Sequence, residues 1–396
     1  MATSSRLSRE APPWAVVALV GLASAVAQSF GRFSYALLLP AIDRDLLGSY
    51  AVAGLLGTAN VAAYLLGTVA VSALSRRADP ATLIRVGLVA TTLGLALLSQ
   101  AGSAATLAVG LSLTGLGGAF IWVPAPGLAG SAVPPARRGA AIGLTGSGIG
   151  VGIVAASILT AVLHRSGGDA SWRTVWLVEA GVALLTLVLC LVLLRPSAAA
   201  AAAAPARAGA LRLVPGWLGL VGAYSAYGLA YSVFTTYVVT ALQADAGFSD
   251  AHASLDYTLL GLALVVGGPL FGRLSDRRGR GPMLVVGYLA MAGSIALVLV
   301  GAEPFAAVSV LVFGITMSGL PAVIAAQLSD HLSPREFAGA FGRLTLFFGV
   351  GQLAGPPLGG WLAERTGSFT LPFVVAAGTA LVGALASRAV PGARPP

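Results

Sequence analysis

Leu274-Ser275-Asp276-Arg277-Arg278-Gly279-Arg280 closes one long apolar run of this chain, and two hundred residues earlier Leu74-Ser75-Arg76-Arg77-Ala78-Asp79-Pro80 closes another. Gly67 and Gly267 keep the same offset, as do Pro134 with Pro334 and Gly139 with Gly339. One such match is easily chance. Several at one offset, each at the same place relative to the apolar runs, describe a duplicated half.

The runs themselves set the class. Of 396 residues, 57% are hydrophobic and 9% charged, with a mean hydropathy of +0.89. A soluble domain carries about 25% charged residues and alternates polar with apolar faces. Here the apolar stretches reach about 20 residues, the length that crosses a bilayer as a helix. Twelve spans are predicted, near 14–42, 49–75, 81–101, 104–132, 139–164, 173–194, 214–242, 253–275, 282–301, 305–330, 337–364 and 371–389. The 52 glycines suit close packing of membrane helices. The first run is too long for a signal peptide and is expected to be retained.

The net charge of +9 comes entirely from arginine, since the chain has no lysine. With both termini placed in the cytoplasm, 18 of the 23 arginines fall in inner ends and loops, and Arg44, Arg165, Arg173 and Arg365 fall outside. That asymmetry predicts cytoplasmic termini. It reads the charge as topology, so no nucleic acid is expected as a partner. The expected layout is an all-α membrane protein: a tail (1–13), a six-helix bundle (14–194), an Ala-rich linker (195–213), a second bundle (214–389) and a tail (390–396). Parallel six-span halves are the plan of transporters that rock around a central site.

Gly272-Arg273-Leu274-Ser275-Asp276-Arg277-Arg278-Gly279-Arg280 resembles the loop motif of the major facilitator superfamily, here in the second half. Gly31-Arg32-Phe33-Ser34-Tyr35-Ala36-Leu37-Leu38-Leu39-Pro40 and Gly351-Gln352-Leu353-Ala354-Gly355-Pro356 resemble its YbfB/YjiJ-like bacterial subgroup. So does Glu364-Arg365-Thr366-Gly367-Ser368-Phe369. The resemblance implies the superfamily's fold and transport by alternating access in a bacterial cell membrane. It implies gating roles for Gly272, Asp276, Arg277 and Arg280, with Pro356 as a bend. Departures are visible. Arg76 replaces the motif Asp in the first half and Ser72 the Gly, Leu111 stands where many proton-coupled drug exporters carry arginine, and the fifth span lacks their Gly-Pro.

Arg32 lies ~28 Å from one end of its run and ~16 Å from the other at the helical rise. A guanidinium at that depth is costly and normally faces an internal cavity with a partner. Ser24, Gln28, Arg32 and Tyr35 are spaced to share one helical face. Arg32 then either receives an anion or tethers helices, bonding to backbone carbonyls or pairing with Glu179, the one acidic residue clearly within a span. Span seven puts Tyr224, Tyr227, Tyr231, Phe234 and Tyr237 on one face with Thr235 and Thr236 beside them. Tyrosines there offer an apolar wall with a polar handle. Asn60, Tyr64 and Gln352 either touch substrate or cross-link helices. Asp256 is expected to be solvated near a span end. Prolines 124, 126, 321, 356 and 357 interrupt their helices.

No phosphate loop, metal cluster or Ser-His-Asp set is present in the loops, and Cys190 stands alone, so neither an enzyme nor a cofactor is expected. Partners are a small-molecule substrate, the bilayer and, if transport is coupled, a proton carried on the substrate or on Glu179; a monomer is expected. The leading expectation is a secondary or facilitative transporter of a small organic anion. The alternative is an exporter of a hydrophobic or cationic compound.

Overall fold

The computed structural model describes residues 12–74, 78–134, 138–194, 209–332 and 334–392. Twelve long helices occupy them: α1 (Pro13–Leu47), α2 (Tyr50–Leu74), α3 (Pro80–Leu98), α4 (Ala104–Ser131), α5 (Arg138–Gly167), α6 (Trp172–Leu193), α7 (Trp217–Ala244), α8 (Asp250–Arg278), α9 (Arg280–Val298), α10 (Phe305–Ser329), α11 (Pro334–Thr366) and α12 (Thr370–Ser387). Most of the two tails and of the linker, and with them the first-half motif residues Ser75, Arg76 and Arg77, lie outside the described residues.

Ten of the helices are long and apolar enough to cross a membrane by composition alone. The two that are not, α7 and α11, carry the tyrosines, glycines and prolines that dilute apolarity where a polar interior is built. Leu66, Val192 and Val350 are 70%, 70% and 68% exposed, a solvent-facing cost that only a lipid surround removes. This is a multi-pass membrane protein.

The repeat survives in three dimensions. The second helix of each half begins at 50 and 250, and the third at 80 and 280. Within the first half α3 packs on α4 and α6, α2 on α4, and α1 on α5. The second half repeats this with α9 on α10 and α12, α8 on α10, and α7 on α11. Gly67 meets α4 at Ala119 and Leu116, and Gly267 meets α10 at Ile315 and Ser318. The two six-helix bundles touch along three seams: α2 with α11, α5 with α8, and α1 with α7.

Two helices break regularity. In α1 the stretch Val26–Phe33 is wound as a π-helix, and Asp43–Leu47 closes it with a second π segment. A π segment holds more residues per turn than an α-helix, so residues on either side of it no longer share the face that α spacing predicts. α4 is interrupted at Val123–Pro124, as its prolines suggest.

Candidate functional site: a cavity ending at Arg32

A cavity of about 780 Å³ lies between the halves. Its lining comes from the parts of the helices nearest the face that carries both chain ends: Tyr64 and Leu65 of α2, Trp122 of α4, Leu144 to Ile149 of α5, Leu264 to Pro269 of α8, and Met317 to Ala322 of α10. α7 contributes Tyr224, Tyr227 and Tyr231, and α11 contributes Phe341, Thr345, Phe348 and Gln352. At mid-depth the cavity stops at Gln28, Arg32 and Phe33 of α1. Among the described residues lining it, Arg32 is the one charged side chain.

The π winding sets what α1 presents. The Ser34 N–H bonds Ser29 O, five residues back. The widened turn lets Gly31 press against α4, where a Cβ would lie 2.4 Å from the Thr114 Cβ. The Gly31 carbonyl accepts from Asn60 Nδ2 (3.5 Å) and Thr114 Oγ1 (3.4 Å). Only part of the expected polar stripe therefore reaches the cavity. Gln28 and Arg32 do. Ser24 is buried and bonds back to Val20 O. Tyr35 turns toward the far face and donates to Ala53 O at 2.8 Å. The change of helical pitch between them is the physical reason.

Arg32 faces Gln352 from the opposite half. With its oxygen toward Arg32, the orientation that satisfies both groups, the amide accepts from Nη1 at 3.3 Å and also from Nη2. The Tyr231 and Phe33 rings lie 5.5 and 5.9 Å from the guanidinium carbon. Tyr64 and Gln28 stand on the same side of the cavity as Arg32. Glu179, the partner considered from sequence, instead accepts a hydrogen bond from Ser34 Oγ inside the first half. Among the described residues Arg32 forms no ion pair.

Other expected positions fall elsewhere. Asn60 donates to Leu111 O at 2.8 Å and to Thr114 Oγ1 at 3.1 Å, cross-linking α2 to α4. Of the α7 face, Phe234 stacks on Phe313 in the core (3.9 Å) and Tyr237 donates to Pro356 O (2.6 Å). Steps of 3, 4, 3 and 3 residues drift around a helix of 3.6 residues per turn, so Phe234 and Tyr237 turn away from the cavity that Tyr224, Tyr227 and Tyr231 line. Thr235 bonds back to Tyr231 O and lines, with Asn60, Ser232, Thr236 and Pro356, a separate cavity of about 30 Å³ on the far side of Arg32. That is room for a water or two. Asp256 is buried, 2% exposed, because its helix turns it inward beside Glu303.

The far end is shut. Arg44 of α1 pairs with Asp169 (2.7 Å) in its own half and reaches Asp250 of α8 (3.4 Å) across the interface. His164 of α5 also meets Asp250, at 2.9 Å. Glu364 of α11 accepts from Ser49 Oγ (2.8 Å) and Ala51 N (2.9 Å) of the other half. Between these ties α2 and α11 touch backbone to backbone. A Cβ on Gly54 would lie 2.3 Å from Pro356 O, and one on Gly360 2.1 Å from Tyr50 O. Sequence reasoning missed this latch because each charge reads as an ordinary loop charge until the fold brings them together. It also missed Phe341, Thr345 and Phe348, although their spacing with Gln352 places all four on one face of α11.

Near the chain-end face, the loop motif is organised within the second half. Arg280 pairs with Asp276 (2.8 Å) and Asp330 (2.9 Å) and donates to Ser275 Oγ, tying α8 and α9 to α10. Arg277 is exposed, and a Cβ on Gly272 would meet open space.

This architecture agrees with what comparison finds. The family described as "Uncharacterised MFS-type transporter YbfB" matches residues 24–388. The chain belongs to that family. It is 27% identical over 338 residues to monocarboxylate transporter 12-B of Danio rerio, covering 74% of this chain and 68% of that one. It is 32% identical over 170 residues to a probable sulfoacetate transporter, SauU, of Cupriavidus necator, covering 41% and 40% of the two. In fold it is similar to an inward-facing, unoccupied bacterial homologue of the human lysosomal transporter Spinster, with a TM-score of 0.75, 17% identity, and 96% and 97% of the chains covered. The protein is a major facilitator transporter of small solutes.

Proposed function

We propose that this transporter moves a small organic anion across a bacterial cell membrane, and that Arg32 is the anion's anchor. With the termini in the cytoplasm, as arginine placement favours, the cavity opens inward and the Arg44 latch closes the outside. The observation that carries the reading is the pairing of Arg32. A mid-membrane guanidinium normally has a carboxylate partner. Here it has an amide from the opposite half and a large cavity in front of it. A carboxylate or sulfonate entering that cavity would offer charge-assisted, bidentate hydrogen bonds that the amide cannot match. It would also bridge α1 and α11, so its binding energy would differ between states in which the halves are apart or together. Gln28, Tyr64, Tyr227, Tyr231 and Gln352 would surround the solute. Tyr35, Asn60 and Thr235 would belong to the path beyond it. That relatives are named for monocarboxylate and sulfoacetate transport agrees with a single anionic group. A cation would be repelled by Arg32, which places the cationic-exporter reading second.

Ligand-induced thermal stabilisation of the purified protein tests this, because binding to the folded state raises stability by mass action. Monocarboxylates and sulfonates should stabilise wild type and leave a folded Arg32→Gln variant unmoved. Stabilisation by lipophilic cations that persists in Arg32→Gln would reverse the assignment.

A further inference from the structure

The wall that leads to Arg32 is a ladder of rings. On α7, Tyr224 and Tyr227 stack with centroids 5.8 Å apart and planes 15° apart, and Tyr227 and Tyr231 continue at 5.4 Å and 14°. From α11, Phe348 lies against the first two at 5.0 Å and 24°, then 5.6 Å and 27°, and tilts against Tyr231 at 6.0 Å and 40°. The Tyr227 hydroxyl is engaged by Met317 O at 2.6 Å, which fixes its ring. The ladder ends where Tyr231 meets the Arg32 guanidinium.

The rest of the cavity is mostly apolar. Leu65, Trp122, Leu144, Ile149 and Val265 line it beside the hydroxyls of Tyr64, Ser147, Ser318 and Thr345, the last two of which donate to Leu264 O and Phe341 O, and no described lining residue is acidic. The cavity, about 780 Å³, has room for a ring-sized body in front of Arg32. One positive charge neutralises one acid group. Flat rings in a row favour a flat π-system set against them, in offset or edge-on contact, over a saturated body of equal size.

We infer that the solute is a monoanionic aromatic acid, its carboxylate or sulfonate on Arg32 and its ring against Tyr227, Tyr231 and Phe348. This rests on the reading of Arg32 as the anion anchor and specifies what the remainder of the cavity selects.

Isothermal titration of the detergent-solubilised, full-length protein separates the two claims. The probes are 1-naphthoate, 1-naphthalenesulfonate, decahydronaphthalene-1-carboxylate as the saturated counterpart, 1,8-naphthalate as a dianion, and naphthalene-1-methanol as a neutral ring. The inference expects one or both aromatic monoanions to bind about tenfold tighter than the saturated acid. The better of the two arms identifies the acid group. Phe348→Leu keeps an apolar side chain there and, with Tyr227 and Tyr231 still in place, should reduce that preference while the saturated acid still binds. Equal affinity for naphthoate and its saturated counterpart, both lost in Arg32→Gln, overturns the aromatic inference and leaves the anchor standing. Tight binding of the neutral ring regardless of Arg32 overturns both. Failure of every aromatic acid to bind wild type at millimolar concentration also overturns the inference, as does tighter binding of the dianion than of either monoanion.

Discussion

At Arg32 a guanidinium stands at mid-membrane with the Gln352 amide as its hydrogen-bond partner. Hydrogen bonds to charged groups contribute about 1.5–3 kcal/mol. Arg32→Gln should therefore weaken binding of an organic monoanion by roughly 10- to 150-fold, read by titration calorimetry on protein that elutes as a single folded species. Arg32→Lys should recover only part of this, because an ammonium cannot present the planar two-pronged fork. Gln352→Glu is the complementary change. It places a carboxylate where the amide oxygen now lies, so the protein would carry its own competing anion. We expect retained folding and an anion affinity at least about tenfold lower, given the strength of a charge-assisted pair. Unchanged affinity in Gln352→Glu would show that the two side chains do not meet in the anion-binding state. Glu179 belongs to a different neighbourhood, bonded to Ser34 two residues beyond Arg32, and is not among the described residues that line the cavity.

At the scale of elements, the shut far end depends on how closely α2 and α11 approach. Gly54 allows that approach, and a larger side chain there must collide with the Pro356 carbonyl. Overpacking of this kind costs about 1–3 kcal/mol. Gly54→Val should shift the population toward the outward-open state by roughly 5- to 150-fold, because only the closed state bears the clash. The check is labelling by an impermeant thiol reagent applied from outside, with a cysteine at Thr235 in a Cys190→Ala background. Loss of labelling relative to Gly54 would contradict the assignment of this seam. The Arg44–Asp169–Asp250 cluster holds the same end more weakly. Its side chains are 38–45% exposed, and exposed pairs contribute about 0.2–1 kcal/mol each. Only the Asp250 pair crosses the interface, so Arg44→Gln should raise outside labelling by a factor of about 1.4 to 5, and high salt should reproduce part of the effect in wild type by screening. The helices themselves were legible from hydropathy, and the shared helix starts at 50 and 250 and at 80 and 280 follow the repeat read from Leu74–Pro80 and Leu274–Arg280. The π winding of α1 was not legible, since its residues carry no signature that separates five-residue from four-residue hydrogen bonding. That single departure moved Ser24 and Tyr35 off the face shared by Gln28 and Arg32. The latch was hidden for another reason. Arg44, His164 and Asp250 are far apart in sequence and meet only through the packing of α5 on α8.

Across the whole molecule, a central cavity with one charged side chain lies between two halves that close at opposite ends in turn. On the proposed reading, loss of either gate would leave binding possible, whereas loss of Arg32 would remove the solute's anchor in every state. The most direct measurement is uptake of a radiolabelled organic monoanion into proteoliposomes carrying equal amounts of wild type or Arg32→Gln. Wild type should show saturable uptake, inhibited by other monoanions and not by lipophilic cations, and uptake by Arg32→Gln should be reduced at least about tenfold, the lower bound set by losing a charge-assisted contact. Equal saturable uptake by both proteins would contradict the anchor role of Arg32 and leave it as a tether between α1 and α11.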